Sequence, residues 1–131
     1  MKSKILALSK NEEFKKLLQK KKVSNKYVTI YFGYLNNKNK NKFNISFVTK
    51  KKIGNAVKRN KIKRRLRNIM NDAFKKISIN LHYSYLVIAK TTMLNNEFKI
   101  IKETLFQEFI KINKWIFLQS YWSNSLKLTN I

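Results

Sequence analysis

The chain has no cysteine, so disulfides and thiolate metal sites are excluded. It has no proline and only two glycines, Gly33 and Gly54, so its turns must be read from polar runs. Acidic residues are scarce: Glu12, Glu13, Asp72, Glu97, Glu103 and Glu108 are the full set, and each falls in a segment of helical pattern. No pair of them sits at a strand end, where two carboxylates could hold Mg2+ for phosphodiester cleavage. The single histidine, His82, opens a strand-like segment with no acidic neighbour, a setting in which histidine is more often structural than a general base. No Walker-type loop, nucleophile elbow or zinc spacing occurs. Long apolar runs are missing as well: none approaches the ~18 residues of a membrane span. The opening MKSKILALSK lacks an apolar h-region and a small-residue cleavage site. A cytoplasmic, membrane-free and, by itself, non-catalytic protein is expected.

What the chain has in excess is positive charge. Thirty Lys and Arg against six acids give a formal net charge of +24 over 131 residues. Self-repulsion on that scale disfavours a compact state, which points to a polyanion as constant companion and to folding assisted by anions. The chain is nonetheless not of disordered composition: 44% of residues are hydrophobic and 13% aromatic, enough for one core in one domain.

Periodicity places the elements. Ser9-Lys10-Asn11-Glu12 fits a capping box, followed by a short amphipathic helix through Phe14, Leu17 and Leu18 to about Lys20. Tyr27–Leu35 alternates, with Val28, Ile30 and Phe32 on one face and Tyr27, Thr29 and Tyr31 on the other. The run Asn36–Lys42 reads as a solvated loop, and Phe43–Thr49 as a second strand with Phe43, Ile45 and Phe47 inward. Beyond Gly54, Ile62, Leu66, Ile69, Met70, Ala73 and Ile77 recur at helical spacing. Tyr83–Ala89 is almost continuously apolar, as in a strand covered on both faces. A last helix is expected from about Asn95, burying Phe98, Ile101, Leu105, Phe109 and Ile112. The residues alone thus give α-β-β-α-β-α, a small sheet with helices packed on it.

The stretch IGNAVKRNKIKRRLRNIM, Ile53–Met70, holds seven cations and no acid. With Ile62 and Leu66 facing the core, Asn60, Lys63, Arg64 and Arg67 form one polar-cationic stripe, while Lys58, Lys61 and Arg65 fall on a second cationic edge. All four arginines of the chain, Arg59, Arg64, Arg65 and Arg67, lie here. Arg offers a planar fork to phosphate that Lys cannot, so the clustering points to a geometric demand and not to solubility alone. Lys50, Lys51 and Lys52 lead into Gly54, which either lets a phosphate backbone approach or simply takes a positive φ. Tyr27 and Tyr31, on the face away from the core line, form either a stacking surface for unpaired bases or ordinary core under a helix.

The run Lys51-Lys52-Ile53-Gly54-Asn55-Ala56-Val57-Lys58-Arg59-Asn60-Lys61-Ile62-Lys63-Arg64 closely resembles the signature of the bacterial ribonuclease P protein subunit, KKxGxAVxRNRIKR. LSKNEEF at Leu8–Phe14, NKYVTIYF at Asn25–Phe32 and YLVIAK at Tyr85–Lys90 resemble other parts of that family in the right order. The resemblance spans about Leu6 to Ile110, leaving residues 111–131 as a helical extension or tail of a single domain. It implies an α/β (α+β) two-layer sandwich in α-β-β-β-α-β-α order with a left-handed βαβ crossover, and hence one more short strand near Val23–Asn25. It further implies a ribonucleoprotein endonuclease that removes the 5′ leader of precursor tRNA. In that enzyme the RNA subunit is catalytic and holds Mg2+, and the protein binds no cofactor of its own. The RNA-binding residues implied are Lys51, Lys52, Arg59, Asn60, Lys61, Lys63, Arg64, Arg65 and Arg67. A cleft between the first helix, the sheet face and the central helix would hold the single-stranded leader, lined by Phe14, Leu18, Tyr31, Tyr27, Val48 and Lys90. The partners are then the ribonuclease P RNA and precursor tRNA, with pairing of two holoenzymes left open.

The chain departs from the family pattern at several places. Lys61 stands for an Arg, keeping the charge without the bidentate fork. Leu18 stands for an aromatic, Ser46 for a strand Gly, and no proline follows Lys90. The tail WIFLQSYW, Trp115–Trp122, is more aromatic than the family's basic end and reads as an extended helix or a partner surface. Two other readings fit the composition: a ribosomal or general RNA-binding protein, and a membrane-active basic helix. The latter would need the apolar line that the core uses, and carries no Trp.

Overall fold

A computed structural model describes residues 5–6, 11–35 and 43–129, with side chains over 12–35 and 43–123. Ser9 of the expected capping box and the Asn36–Lys42 loop lie outside the described residues. The element order is β1 (Ile5–Leu6), α1 (Asn11–Leu17), β2 (Lys21–Ser24), β3 (Val28–Tyr34), β4 (Phe43–Val48), α2 (Ala56–Lys76), β5 (Tyr83–Ala89) and α3 (Phe98–Thr129). Single 3-10 turns precede α2, at Lys51–Ile53, and α3, at Thr91–Leu94. The extra strand implied near Val23 is β2; the two-residue β1 was not expected.

Among the described residues one five-stranded mixed sheet forms, in the order β1-β4-β5-β3-β2. The central strand β5 pairs in parallel with β4 and antiparallel with β3, and its two faces are covered by α2 and α3 on one side and by α1 on the other. That is why YSYLVIA carries apolar residues without alternation. The outer strand β2 reads KKVS, and its lysines stand on an edge where charge discourages pairing with another chain.

The larger core lies between one sheet face and the layer of α2 and α3. Val28, Ile30 and Phe32 of β3, Phe43 and Ile45 of β4, and Tyr85 and Val87 of β5 meet Ile62, Leu66, Ile69 and Met70 of α2 and Ile101, Leu105, Phe109, Ile112 and Ile116 of α3. Its aromatic centre is Phe43, whose ring stacks on Phe74 at 5.9 Å and meets Tyr85 edge-on at 5.4 Å. Phe98, expected in the buried stripe, is 38% exposed. It opens α3, before the helix reaches the sheet. α1 packs on the opposite sheet face, where Leu17 is buried against Leu35 and Leu86.

Two local features set the start of α2. Asn55 caps it, its side-chain oxygen accepting from the Lys58 N–H at 3.0 Å. Gly54 takes φ 152°, ψ −164°, a conformation essentially confined to glycine, so the conformational account of this residue holds.

Candidate nucleic-acid interface

On the α1 side of the sheet the chain leaves a groove. Alternation along the strands brings Tyr31 of β3, Val48 of β4 and Leu86 and Ile88 of β5 to this face. Leu86 is buried, while Tyr31, Val48 and Ile88 remain partly open, as does Phe14 of α1. The register sets Lys22 of β2 opposite Tyr31, and its Nζ lies 6.0 Å from the Tyr31 ring centroid. An open aromatic beside a cation, on an apolar floor, is the arrangement that stacks unpaired bases while neutralising their phosphates.

Both ends of the groove are basic. β4 runs parallel to β5 with Val48 beside Ile88, so the 3-10 turn bearing Lys51 and Lys52 and the start of α2 follow at the end where Lys90 closes β5. At the opposite end Lys16, Gln19, Lys20, Tyr34 and Leu35 line a cavity of about 390 Å³. The Lys20 stem crosses the sheet there over Gly33, where an added Cβ would come within 2.6 Å of it. Gly33 is therefore required by close approach.

Not every residue assigned to the cleft lies in it. Tyr27 is 3% exposed and belongs to the opposite core layer. The alternation that put it beside Tyr31 does not reach it, because the Asn25 side chain accepts from the Tyr27 and Val28 N–H groups at 2.8 and 3.0 Å and turns the chain before β3 begins. Tyr27 as a cleft residue is thus corrected to core. Leu18 lies one residue past α1 and is 47% exposed, outside the packed cluster. Lys90 sits at the groove's end with its ammonium engaged, donating to Ser24 Oγ at 2.7 Å and to the Asn25 carbonyl at 2.6 Å. The central helix packs on the other sheet face, so α1 is the groove's helical wall and α2 reaches it only through its start. Leu17, Leu35, Leu86 and Ile88 were missed as groove-face residues. The period-two split of YSYLVIA, with Leu86 and Ile88 opposite Tyr85 and Val87, carried that signal.

The basic helix is built as its pattern required. Ile62, Leu66, Ile69, Met70 and Ala73 are buried, which leaves two cationic flanks. Lys63 and Arg59 are partly buried, and Asn60, Arg64 and Arg67 are exposed. The Arg59 Nε is buried with no acceptor among the described protein atoms. On the other flank Lys58, Lys61 and Arg65 face the Thr91–Leu94 turn. Lys51 and Lys52 are exposed.

Among the described residues no three His, Cys, Asp or Glu side chains come together. Among the described residues a salt bridge joins Asp72 of α2 to Lys102 of α3 at 2.5 Å. The Lys102 hydrogen bond holds the Asp72 carboxyl below its ordinary pKa. Burial pushes the Tyr85 phenol well above its ordinary value, and its OH donates to the Asn80 carbonyl at 2.8 Å. No described helix is long and apolar enough to cross a membrane.

The sequence matches the ribonuclease P protein family over residues 3–113. The ribonuclease P protein component of Carboxydothermus hydrogenoformans is 36% identical over 104 residues, covering 75% of this chain and 83% of that one. That of Mesomycoplasma hyopneumoniae is 36% identical over 111 residues, covering 85% and 92%. The solved RNase P protein of Staphylococcus aureus superposes with a TM-score of 0.68 at 28% identity, covering 82% of this chain and 94% of that one. The Thermotoga maritima RNase P protein, at 22% identity and TM-score 0.66, shares the fold. With a family match across most of its length and relatives above 30% identity, the chain belongs to the ribonuclease P protein family.

Proposed function

We propose that this chain is the protein component of a ribonuclease P, acting in tRNA 5′-end maturation in the cytoplasm. It binds the catalytic RNA through the Arg59–Arg67 flank of α2 and the Lys51–Lys52 turn, and the single-stranded 5′ leader of precursor tRNA in the groove. The RNA subunit holds Mg2+ and performs the phosphodiester hydrolysis. The protein supplies no acid, base or metal ligand and is inactive alone. Its contribution is affinity: cations screen phosphate repulsion where RNA and substrate meet, and Tyr31 and Phe14 stack on leader bases.

The observation that carries this reading is the groove itself. A partly open aromatic with a lysine over its ring lies on an apolar sheet face, and the basic helix starts at the groove's end. A general RNA-binding protein needs the charge but not that groove.

The test is cleavage of a 5′-extended precursor tRNA by a bacterial ribonuclease P RNA at low Mg2+, with and without this protein. Cleavage is expected only when both are present. A folded, RNA-binding protein that gives no stimulation at any concentration would favour the ribosomal-type alternative. Cleavage by the protein alone would overturn its non-catalytic role.

A further inference from the structure

Lys90 follows β5 directly and keeps its course. Its backbone is extended, with φ −98° and ψ 162°, and its N–H donates to the Tyr27 carbonyl at 2.8 Å. The alternation of β5 therefore carries on through it, and Lys90 shares the groove face with Leu86 and Ile88. On the other side of β3 the register pairs Lys22 with Tyr31 and Ser24 with Thr29, which brings Ser24 to the same face at the sheet's rim. The Lys90 side chain reaches across to that rim. Its ammonium donates to Ser24 Oγ at 2.7 Å and to the Asn25 carbonyl at 2.6 Å, and Ser24 Oγ shares a hydrogen bond with Thr29 Oγ1 at 3.1 Å.

This corner is closed without that ammonium. The Lys90 backbone bond to Tyr27 holds β5 to the start of β3, and Thr92 Oγ1 donates to the Lys26 carbonyl at 2.6 Å. The Asn25 side chain accepts from the Tyr27 and Val28 N–H groups. The ammonium is thus held by the corner and is not what holds it. Both of its acceptors are neutral, so its charge stays whole and one of its three N–H donors is left over. Ser24 and Thr29 carry two hydroxyl hydrogens and use one on each other, which leaves one O–H as well. The Glu108 carboxylate near this corner accepts from the Asn25 side-chain amide at 3.5 Å, and among the described residues no salt bridge engages Lys90. A cation fixed in place, with donors to spare and no counter-charge, is prepared for an anionic acceptor.

We infer that Ser24 is a positioning residue for the leader: with the Asn25 carbonyl it fixes the Lys90 ammonium at the groove's rim before the strand arrives. This rests on the proposed function for the ligand, the single-stranded leader. Lys22 Nζ lies over the Tyr31 ring, and Ser24 is two residues further along β2, about 7 Å at the rise of a strand. A base stacked on Tyr31 then has an exposed cation beside it and a fixed one next along the rim, and the fixed one sets the register of the strand.

The test is holoenzyme affinity for precursor tRNA with and without a 5′ leader, in wild type, Ser24→Ala, Ser24→Thr, Lys90→Ala and the S24A/K90A double variant. Ordering one long side chain on binding costs on the order of two- to tenfold in affinity, and the Asn25 carbonyl remains in Ser24→Ala. That variant is expected to reduce the leader-dependent gain by about two- to fivefold, with affinity for the RNA subunit and Tm unchanged. Ser24→Thr keeps the hydroxyl and should keep the gain. On the Lys90→Ala background Ser24→Ala should change nothing further, since nothing is left to position. In the free protein, NMR should show the Lys90 ammonium protons exchanging faster in Ser24→Ala.

A leader gain unchanged in Ser24→Ala overturns the inference. So does a loss that persists in full on the Lys90→Ala background, or one matched by a fall in Tm, since either marks Ser24 as a structural residue of the strand pair. A wild type that binds the RNA subunit but gains nothing from the leader refutes the proposed function instead. Faster ammonium exchange in Ser24→Ala would in that case still establish the fixed cation, without its ligand.

Discussion

Leu17→Ala should detach the groove's helical wall without disturbing the main core. α1 spans seven residues, far below the ~12–15 at which an isolated helix becomes even marginal in water, so its place depends on packing. Among its described side chains Leu17 alone is fully buried, set against Leu35 and Leu86. Buried Leu→Ala changes cost about 2–5 kcal/mol. This cluster is small and bordered by partly open Phe14, Tyr31, Val48 and Ile88, which can relax into the gap, so the lower end, ~2–3 kcal/mol, applies. The loss falls on docking of α1, because the core of Phe43, Leu66 and Phe109 lies on the other sheet face. A shift of ~2–3 kcal/mol changes the docked-to-undocked ratio roughly 30- to 150-fold. Affinity for the leader falls by the fraction of molecules no longer docked.

Two readouts check this. One is amide exchange at Leu18, whose N–H bonds the Phe14 carbonyl at 3.0 Å and should exchange faster in the variant. The other is the gain in affinity that a 5′ leader gives the holoenzyme, which should shrink while affinity for the RNA subunit holds. Faster exchange with an undiminished leader gain would refute α1 as the groove's wall.

Three further outcomes follow from local physics. Gly54→Ala should destabilise by about 1–3 kcal/mol through its φ, read as a lower urea midpoint at unchanged m-value. The Cβ clash with Lys58 Cδ at 2.8 Å adds little, because that side chain can swing away. Asp72 has a lowered pKa in the folded state, so its ion pair with Lys102 stabilises above the unfolded carboxyl pKa and is lost as pH falls through the folded one. Both groups are partly exposed, at 26% and 41%, so Asp72→Asn should remove no more than about 1 kcal/mol at neutral pH and nothing once the carboxyl is protonated. Tyr85 has a raised pKa in the folded state, so the unfolded chain loses that proton first; stability should decline as pH rises above about 10, and less so in Tyr85→Phe.

The parts of the fold that were legible are those where one face is buried. Alternation fixed β3 and β4, the continuous apolar run fixed β5, and the spacing from Ile62 to Ala73 fixed α2 with both its cationic flanks. β2 was opaque because KKVS is an edge strand with three of its four residues exposed, so burial imprints no pattern on it. Tyr27 was misplaced because an Asn25 side-chain turn interrupts a period that looks continuous in the sequence. The groove was only half legible. Tyr31 came from the alternation of β3 and Phe14 from the resemblance, but the floor of Leu86 and Ile88 depends on β5 lying between β4 and β3, and strand order is not written in local sequence. The aromatic tail did extend the last helix: Ile116 is buried in the core, whereas Phe117, Leu118, Tyr121 and Trp122 stand exposed beyond it.

The central claim is that one face of this protein grips the catalytic RNA while another reads the leader. Its most direct test is holoenzyme affinity for precursor tRNA with a 5′ leader and for the same tRNA without one, in wild type, Tyr31→Ala and Arg64→Ala. The account predicts that Tyr31→Ala lowers the leader-dependent gain, by about the 1–3 kcal/mol of one base-stacking contact, and leaves affinity for the RNA subunit intact. Arg64→Ala should do the reverse. Both variants weakening both quantities alike, or a wild type that gains nothing from the leader, would contradict it.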